Sequence, residues 1–166
     1  MKKSIVSVFV CCLAALTAEV NAAEPLYPAN VTSLFEEPGR LVVLWSVDCP
    51  PCFDELAMLE KLLKQYPELP VTFVSTDDDS ERYEEVDSTY RRFAGNTKAW
   101  VFGDGMAAAL RYAIDPAWSG VLPRSYFVDR EGERHGHSGV LKEAQVISLF
   151  QLSDLPSGKG KGSTGH

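Results

Sequence analysis

The hydrophobic and polar positions of the chain alternate between two periods. Nearly continuous apolar runs, typical of strands covered on both faces, occupy 40–46, 71–76 and 98–103. The stretch 53–66 instead carries leucines at i, i+3 and i+4 intervals, which predicts an amphipathic helix. The other predicted elements are helices over 80–93, 106–114 and 141–152, and two strands joined by a hairpin turn over 124–129 and 134–139.

This order of elements predicts the fold class. Strands that alternate with helices form a sheet between helical layers, and the last two strands add an antiparallel hairpin at one edge. In the first long helix, Asp54 and Glu55 are assigned to the polar face. Ser80 is the expected N-cap of the helix that follows the second strand. The sequence therefore predicts an α/β protein with a central mixed sheet sandwiched by helices.

The two ends of the chain differ from this pattern. Residues 1–22 combine Lys2 and Lys3 with an apolar stretch and small residues, which is typical of a secretory signal peptide. The apolar stretch is shorter than the roughly 20 residues that a membrane-spanning helix needs. Residues 156–166 are rich in Gly and Ser and are predicted to form a flexible tail. One domain is expected between them, over 23–155.

Charge and cysteine content narrow the function. The net charge of −7 and the lack of a basic stripe argue against a nucleic-acid partner. Removal of the signal peptide would take Cys11 and Cys12 with it, so that Cys49 and Cys52 remain as the only thiols. A small exported domain held by disulfides usually has several cysteines spread along the chain. A single close pair indicates a different use.

The pair lies in "WSVDCPPCFDEL", between a predicted strand and a predicted helix. This spacing places Cys49 at the turn and Cys52 in the first helical turn, among backbone N–H groups at the positive end of the helix dipole. Such a position can lower the pKa of a cysteine from about 8.5 to roughly 3.5–7.5. Pro50 and Pro51 suit the opening helical positions, where no N–H is needed. An exposed Cys49 would attack a disulfide, and a shielded Cys52 would resolve the mixed disulfide.

Two other uses of the pair stay open at this point. A structural disulfide across so short a loop stabilises little. A metal site would need further ligands, and the histidines of the chain are His135, His137 and His166. His135 and His137 are two residues apart on a predicted strand and so share a face. The alternative function is therefore a copper or zinc chaperone that uses both cysteines with a histidine.

Two segments resemble thioredoxin-fold proteins, most closely the exported TlpA/DsbE-like (redoxin) family. "LVVLWSVDCPPCFDELAMLEKL" (41–62) is similar to the active-site segment of that family. "WSGVLPRSYFVDREGERHGHSG" (118–139) is similar to its Gly-x-Pro segment, strand and hairpin. The resemblance implies a thioredoxin-like fold in which Pro123 follows a cis peptide bond and faces the cysteines. Leu122, Pro123 and Arg124 would then bind the client.

The resemblance also implies a function and partners. It suggests an exported, periplasmic thiol–disulfide oxidoreductase that reduces specific clients with a cysteine pair. A membrane thiol electron carrier would recharge it, and its cofactor would be the Cys49–Cys52 disulfide itself, with no bound group. The protein is expected to be a monomer. Arg124 is expected to pair with Asp48 or with an acidic client.

Residues around the cysteines depart from the family pattern. Asp48 stands where a Trp is frequent, and a carboxylate at this position disfavours the neighbouring thiolate. Thioredoxin carries a buried Asp two residues before the strand Trp, which is Trp45 here; the matching residue is Val43, so that acid is missing. Pro50 and Pro51 replace the Gly-Pro of thioredoxin. These residues are expected to tune the pKa and the potential of the pair.

Overall fold

The computed structural model describes residues 23–95 and 97–152 of the 166-residue chain. The predicted signal peptide, 1–22, and the predicted tail, 156–166, lie outside the described residues. In the part that is described, none of the helices has the length and hydrophobicity required to cross a bilayer.

Within residues 23–95 and 97–152, six strands form a single mixed sheet in the order β1-β4-β3-β2-β5-β6. The first four in this order are parallel, whereas β5 runs antiparallel to β2, and β6 antiparallel to β5. The strands are β1 (Glu24–Leu26), β2 (Arg40–Trp45), β3 (Val71–Ser75), β4 (Ala99–Phe102), β5 (Arg124–Val128) and β6 (Arg134–Ser138).

Four α-helices and two short 3₁₀ helices connect these strands within the described residues. The α-helices are α1 (Pro50–Gln65), α2 (Tyr83–Ala94), α3 (Ala107–Ile114) and α4 (Glu143–Leu149). The 3₁₀ helices are Pro28–Leu34 and Ser80–Arg82. The predicted α/β architecture is confirmed, with the hairpin β5–β6 at one edge of the sheet.

The core consists of two apolar layers, one on each face of the sheet. Leu41, Val43 and Trp45 of β2 point to the layer that contains the inner faces of α1, α2 and α4. Val42 and Leu44 point to the opposite layer, which α3 and the 3₁₀ helix Pro28–Leu34 cover. Successive strand residues face opposite sides. A strand covered on both sides is therefore apolar throughout, which explains the continuous run in β2.

The structure differs from the predicted elements at several boundaries. The prolines of 23–38 hid β1 and the first 3₁₀ helix from the sequence pattern, although β1 gains its stability from pairing with β4. Helix α1 begins at Pro50, three residues before the periodic stretch 53–66, because proline is favourable in the first helical turn. The predicted N-cap at Ser80 is wrong. The segment begins with the 3₁₀ helix Ser80–Arg82, whose N-cap is Asp79, and the Asp79 side chain accepts the N–H of Glu81 at 3.0 Å.

Candidate active site

Cys49 and Cys52 form a disulfide at the start of α1. Their sulfur atoms are bonded at 2.03 Å, and their Cα atoms are 5.3 Å apart. Cys49 is the N-cap of the helix, and Pro50 and Pro51 occupy its first positions, as the sequence predicts. The Cys52 N–H donates to the Cys49 carbonyl at 2.9 Å and closes the first turn. The pair therefore lies at the positive end of a 16-residue helix.

The burial of the two cysteines corrects one expectation. Cys49 is only 7% exposed, so the exposed sulfur that the sequence suggested is wrong for this oxidised form. Cys49 belongs to the same apolar cluster as Trp45 and Cys52, and Leu122 packs against that cluster. Cys52 is more deeply buried still, at 1%. The relative order of accessibility is the predicted one, with Cys49 the sulfur that a partner reaches more readily.

A buried carboxylate holds the loop that precedes Cys49. Asp77 lies two residues after the end of β3, and its Oδ1 accepts the Ser46 hydroxyl at 2.8 Å. Its Oδ2 accepts the Val47 N–H at 3.1 Å and the Ser75 hydroxyl at 2.5 Å. The Ser46 carbonyl in turn accepts the Cys49 N–H at 3.1 Å. Asp77 therefore fixes the backbone that presents the cysteine, a role that no sequence signal indicated.

Asp48 forms an ion pair with a residue from the β3–α2 connection. Arg82 Nη1 donates to Asp48 Oδ2 at 2.6 Å, and Arg82 Nη2 donates to Asp48 Oδ1 at 3.1 Å. The same guanidinium also contacts Glu85. Hydrogen bonding to Arg82 holds the pKa of Asp48 below its ordinary value. Asp48 therefore pairs with a cation 34 residues away along the chain, and its partner is Arg82, not Arg124.

The most deeply buried acid of the site is Glu55, which the sequence pattern assigned to the polar face of the helix. It is 1% exposed, so that assignment is wrong. Burial raises the pKa of Glu55 from its ordinary 4.5 to about 7, and hydrogen bonding to Ser125 offsets part of the rise. Ser125 Oγ donates to Glu55 Oε1 at 2.9 Å. Within the described residues, Glu55 Oε2 is buried and has no hydrogen-bond partner.

A periodicity signal for Glu55 exists in the sequence. It stands three residues after Cys52 and four before Leu59, and such neighbours share one face of a helix. The buried positions of α1 follow this spacing: Cys52, Glu55, Leu56, Leu59 and Leu62. Glu55 therefore lies one helical turn from the resolving cysteine, on the same buried stripe.

Glu55 also supplies an acid where the sequence analysis found none. Val43, at the position of the buried acid of thioredoxin, is the antiparallel partner of Ser125 in the β2–β5 register. The Ser125 hydroxyl binds Glu55. A carboxyl group from α1 therefore reaches the sheet position opposite Val43. The strand acid of thioredoxin is absent at Val43, as the sequence shows, but a buried acid reaches this region from the helix instead.

The loop before β5 brings the predicted proline to the same end of the sheet. The Leu122–Pro123 peptide bond is cis. Arg124 is the partner of Leu44, so Pro123 follows the register towards Trp45, where β2 ends and the cysteine loop begins. The Pro123 carbonyl accepts the Gly139 N–H at 2.9 Å. Leu122 packs against the apolar cluster that contains both cysteines.

Arg124 does not contact Asp48, which corrects the expected pairing. Its Nη2 donates to Asp115 Oδ2 at 3.1 Å, its Nη1 donates to Ser138 Oγ at 2.8 Å, and its guanidinium lies 4.5 Å from the Tyr126 ring centroid. The alternation of β5 explains this arrangement, because Arg124 and Tyr126 share the α3 face of the sheet. Ser125 points to the opposite, α1 face, where the buried acid lies.

Of the two histidines of β6, His135 is hydrogen-bonded to an aspartate and not to either cysteine. His135 Nε2 is 2.6 Å from Asp129 Oδ2, and this hydrogen bond raises the pKa of His135. Among the described residues, Asp129, Glu133 and His135 form the group whose potential ligand atoms lie within 4.8 Å of one another, and it contains neither cysteine. This geometry gives no support to a metal site shared by the cysteines and His135.

Comparison with solved structures identifies the fold. A secreted disulfide oxidoreductase of Mycobacterium tuberculosis, homologous to E. coli DsbE, matches with a TM-score of 0.53 and 15% identity, over 73% of this chain and 85% of that one. A thio-disulfide isomerase from Thermus thermophilus matches with a TM-score of 0.51 and 18% identity, over 81% and 97%. At this identity the likeness shows the fold, which is the thioredoxin-like fold.

One curated relative is closer in sequence. Thiol-disulfide oxidoreductase ResA of Halalkalibacterium halodurans is 27% identical over 121 residues, which are 70% of this chain and 63% of that protein. The chain thus spans less than two thirds of the relative's length. No family model matches the chain. The fold is the thioredoxin-like fold that the sequence resemblance predicts, and this relative is a thiol-disulfide oxidoreductase to which the chain is similar in sequence.

Proposed function

We propose that this chain is an exported thiol–disulfide oxidoreductase that reduces client disulfides through the Cys49–Cys52 couple. The observation that carries the proposal is the arrangement around the disulfide. It lies at the N-terminus of α1, near the cis Leu122–Pro123 bond, with a buried acid one turn away. ResA, the curated relative, is named for thiol–disulfide oxidoreductase activity.

The reaction proceeds in two exchanges. The Cys49 thiolate attacks one sulfur of a client disulfide, so that a mixed disulfide forms and the other client sulfur leaves as a thiolate. Cys52 then loses its proton and attacks the Cys49 sulfur. The Cys49–Cys52 disulfide forms, the second client sulfur leaves, and the two electrons have passed to the client. A bound cofactor is not needed for either exchange.

Glu55 is the group that accepts the Cys52 proton. Cys52 is 1% exposed, so bulk water cannot take the proton directly. Glu55 lies on the same buried stripe of α1, and its pKa of about 7 suits a base that works near neutral pH. In the reverse exchange, which regenerates the dithiol, the same carboxyl group returns the proton to Cys52.

The buried acid also favours the reducing direction. A thiol–disulfide couple is a strong oxidant when its thiolate form is well stabilised. A carboxyl group one turn from Cys52 disfavours a thiolate there and so favours the disulfide relative to the dithiol. The helix N-terminus acts in the opposite sense. We propose that the acid, being buried and without a cation partner among the described residues, decides the balance.

The client and the other partners are proposed on the family resemblance. A client segment with a cysteine would lie along Leu122 and cis-Pro123, since a proline has no N–H and Leu122 makes no backbone hydrogen bond within the described residues. Arg124 supports this loop through Asp115 and Ser138. A membrane thiol electron carrier would recharge the protein in the periplasm, where it would act as a monomer.

Trapping tests this proposal. In Cys52→Ser, the mixed disulfide on Cys49 cannot be resolved, so the variant should accumulate a covalent complex with its client in extracts of the source cells. Non-reducing electrophoresis and mass spectrometry would identify the partner and the cysteine it uses. Cys49→Ser is the matched control, because it retains a thiol at the buried position and should capture nothing.

Two results would contradict the proposal. One is equal capture by both variants, since Cys49 would then have no special role. The other is stoichiometric copper or zinc binding by the reduced protein together with no reduction of any disulfide, which would favour the chaperone alternative.

A further inference from the structure

The proposed role of Glu55 requires a route for protons, because its carboxyl group is 1% exposed. Its partner Ser125 borders a cavity of about 450 Å³ between the β5–β6 hairpin and α4. Leu141 borders the same cavity. Ser125, which hydrogen-bonds to the buried carboxyl group, therefore also forms part of the cavity wall.

A histidine lies next to Ser125 on the wall of the cavity. His137 is the antiparallel partner of Ser125 in the β5–β6 register. Directly opposed residues in an antiparallel pair project from the same face and have Cβ atoms about 4.5–5.5 Å apart. The Ser125 hydroxyl points to α1, so His137 lies on the α1 side of the sheet as well. Both residues line the cavity.

The other titratable groups of this region are accounted for. Among the described residues, the lining of the cavity contains His135 and His137 and no Asp, Glu, Lys or Arg. His135 is held by Asp129 at 2.6 Å. At the start of α4, Lys142 and Glu143 are exposed and are not part of the lining.

We propose that His137 and Ser125 form a proton relay that connects the buried Glu55 carboxyl group with solvent through the cavity between β5–β6 and α4. This inference rests on the proposed thiol–disulfide exchange. The proton that leaves the Cys52 thiol binds Glu55, passes through the Ser125 hydroxyl to the His137 imidazole, and leaves to water. The proton needed when the Cys49–Cys52 disulfide is reduced follows the reverse path. Imidazole is the side chain best suited to exchange protons near neutral pH.

The experiment follows the second exchange alone. The reduced protein is mixed rapidly with 5,5′-dithiobis(2-nitrobenzoate), which releases one coloured thiolate when Cys49 attacks and a second when Cys52 resolves. At pH 6.5, His137→Ala should slow the second release about tenfold and leave the first unchanged. The difference should shrink above about pH 8, where Glu55, with a pKa of about 7, is already ionised.

Imidazole in the buffer separates a relay from a structural effect. It should restore the second release in His137→Ala, because the deleted side chain leaves a space of its own shape beside an open cavity. It should not restore Ser125→Ala, in which the hydroxyl link to Glu55 is missing. His135→Ala is the matched control on the same face of β6, and its second release should stay within about twofold of the wild-type rate.

Equal rates in His137→Ala and the wild type would overturn the relay, and so would a slow His137→Ala that imidazole leaves slow. If His137→Ala does not fold, a Ser125→Ala variant with wild-type second release overturns it equally. These outcomes are distinct from failure of the proposed function, which Cys52→Ser trapping reports. The reaction with the small disulfide measures the two cysteines whatever their client is.

Discussion

The two sides of the Cys49–Cys52 disulfide each present a carboxyl group, but in opposite surroundings. On the outer side, the Asp48 side chain is 70% exposed and is paired with Arg82. On the inner side, Glu55 is 1% exposed and has one oxygen without a partner within the described residues. The two acids therefore differ in burial, although the sequence places both close to the cysteines.

The difference decides which acid influences the chemistry. Charges at the surface are screened by water and salt, and a bidentate guanidinium compensates Asp48 further. In the interior a carboxylate is costly unless it is well paired, so Glu55 changes its proton affinity instead. The pKa of Asp48 is lowered, and that of Glu55 is raised to about 7. We infer that the inner acid handles protons and that the outer pair sets the charge beside Cys49.

The largest effect is expected from Glu55→Gln. Without a base beside Cys52, resolution of the mixed disulfide should slow about 100-fold, which is the lower end of the usual range for acid–base catalysis. The two-phase reaction with the chromogenic disulfide measures this rate. Asp54→Asn, the exposed neighbour on α1, is the control and should leave both phases unchanged. If Glu55→Gln resolved the mixed disulfide at the wild-type rate, Glu55 would not be the base for Cys52, and the proposed difference between the two acids would be wrong.

Protein stability should also reveal the inner acid. The pKa of Glu55 is higher in the folded chain, at about 7, than its ordinary 4.5, so the folded state binds the proton more tightly. Its contribution to the free energy of unfolding is therefore full below about pH 4.5 and is lost as the pH rises through about 7. A change of this size in pKa corresponds to about 3 kcal/mol.

Urea denaturation of the oxidised protein at pH 5 and at pH 8 measures this contribution. Between pH 5 and pH 8, the free energy of unfolding of the wild type should fall by about 2–3 kcal/mol more than that of Glu55→Gln. Asp54→Asn should keep the wild-type dependence. If the wild type and Glu55→Gln had parallel pH profiles, Glu55 would not titrate in the interior.

Asp77→Asn tests the buried carboxylate that holds the loop before Cys49 and has no proposed role in proton transfer. The amide cannot accept all of the hydrogen bonds from Ser46, Val47 and Ser75. The free energy of unfolding should therefore fall by about 1.5–3 kcal/mol. Chemical denaturation at pH 7 checks this value. Asp104→Asn removes an exposed carboxylate that accepts one backbone N–H, and it should cost much less.

The smallest effect is expected on the outer side. Arg82→Gln leaves the Asp48 carboxylate uncompensated beside Cys49, so the reduced protein should react with iodoacetamide about two- to threefold more slowly at low salt. Asp48→Asn should change the rate in the opposite direction. Both differences should fade at about 1 M salt because the charges are exposed.

Lys64→Gln removes an exposed cation from a different ion pair of α1, with Glu60, and is the control. An effect of Arg82→Gln that exceeds that of Glu55→Gln would reverse the ranking of the two sides.

Local patterns of the sequence were sufficient for most of the fold. Apolar runs and helical spacing reflect which face of each element is buried, so they reveal the elements directly. The strands β2 to β6 and the helices α1 to α4 occur in the predicted order. They failed for β1, whose three residues carry too little periodicity and depend on pairing with β4. The fold class needed only the order of elements, and the family resemblance added the cis bond before Pro123.

The site was only partly within reach of the sequence. The spacing of Cys49 and Cys52 before a helix determined the chemistry that the pair can perform, because the position of a thiol at a helix N-terminus is a local property. The partners of Asp48 and Arg124 were not local. Asp48 pairs across 34 residues, and Arg124 is directed by the alternation of β5 to Asp115.

Only the tertiary structure decided which acid is buried. A helix pattern with Glu55 next to Leu56 fits either a polar edge or a buried stripe, and the choice depends on whether another element supplies a hydrogen-bond donor. Ser125, 70 residues further along the chain, supplies that donor. The sequence by itself determined a reactive cysteine pair at the start of a helix. The packing of β5 and α4 against α1 determined that a buried acid, Glu55, lies one turn from that pair, because burial and pairing of a charge arise only when distant segments meet.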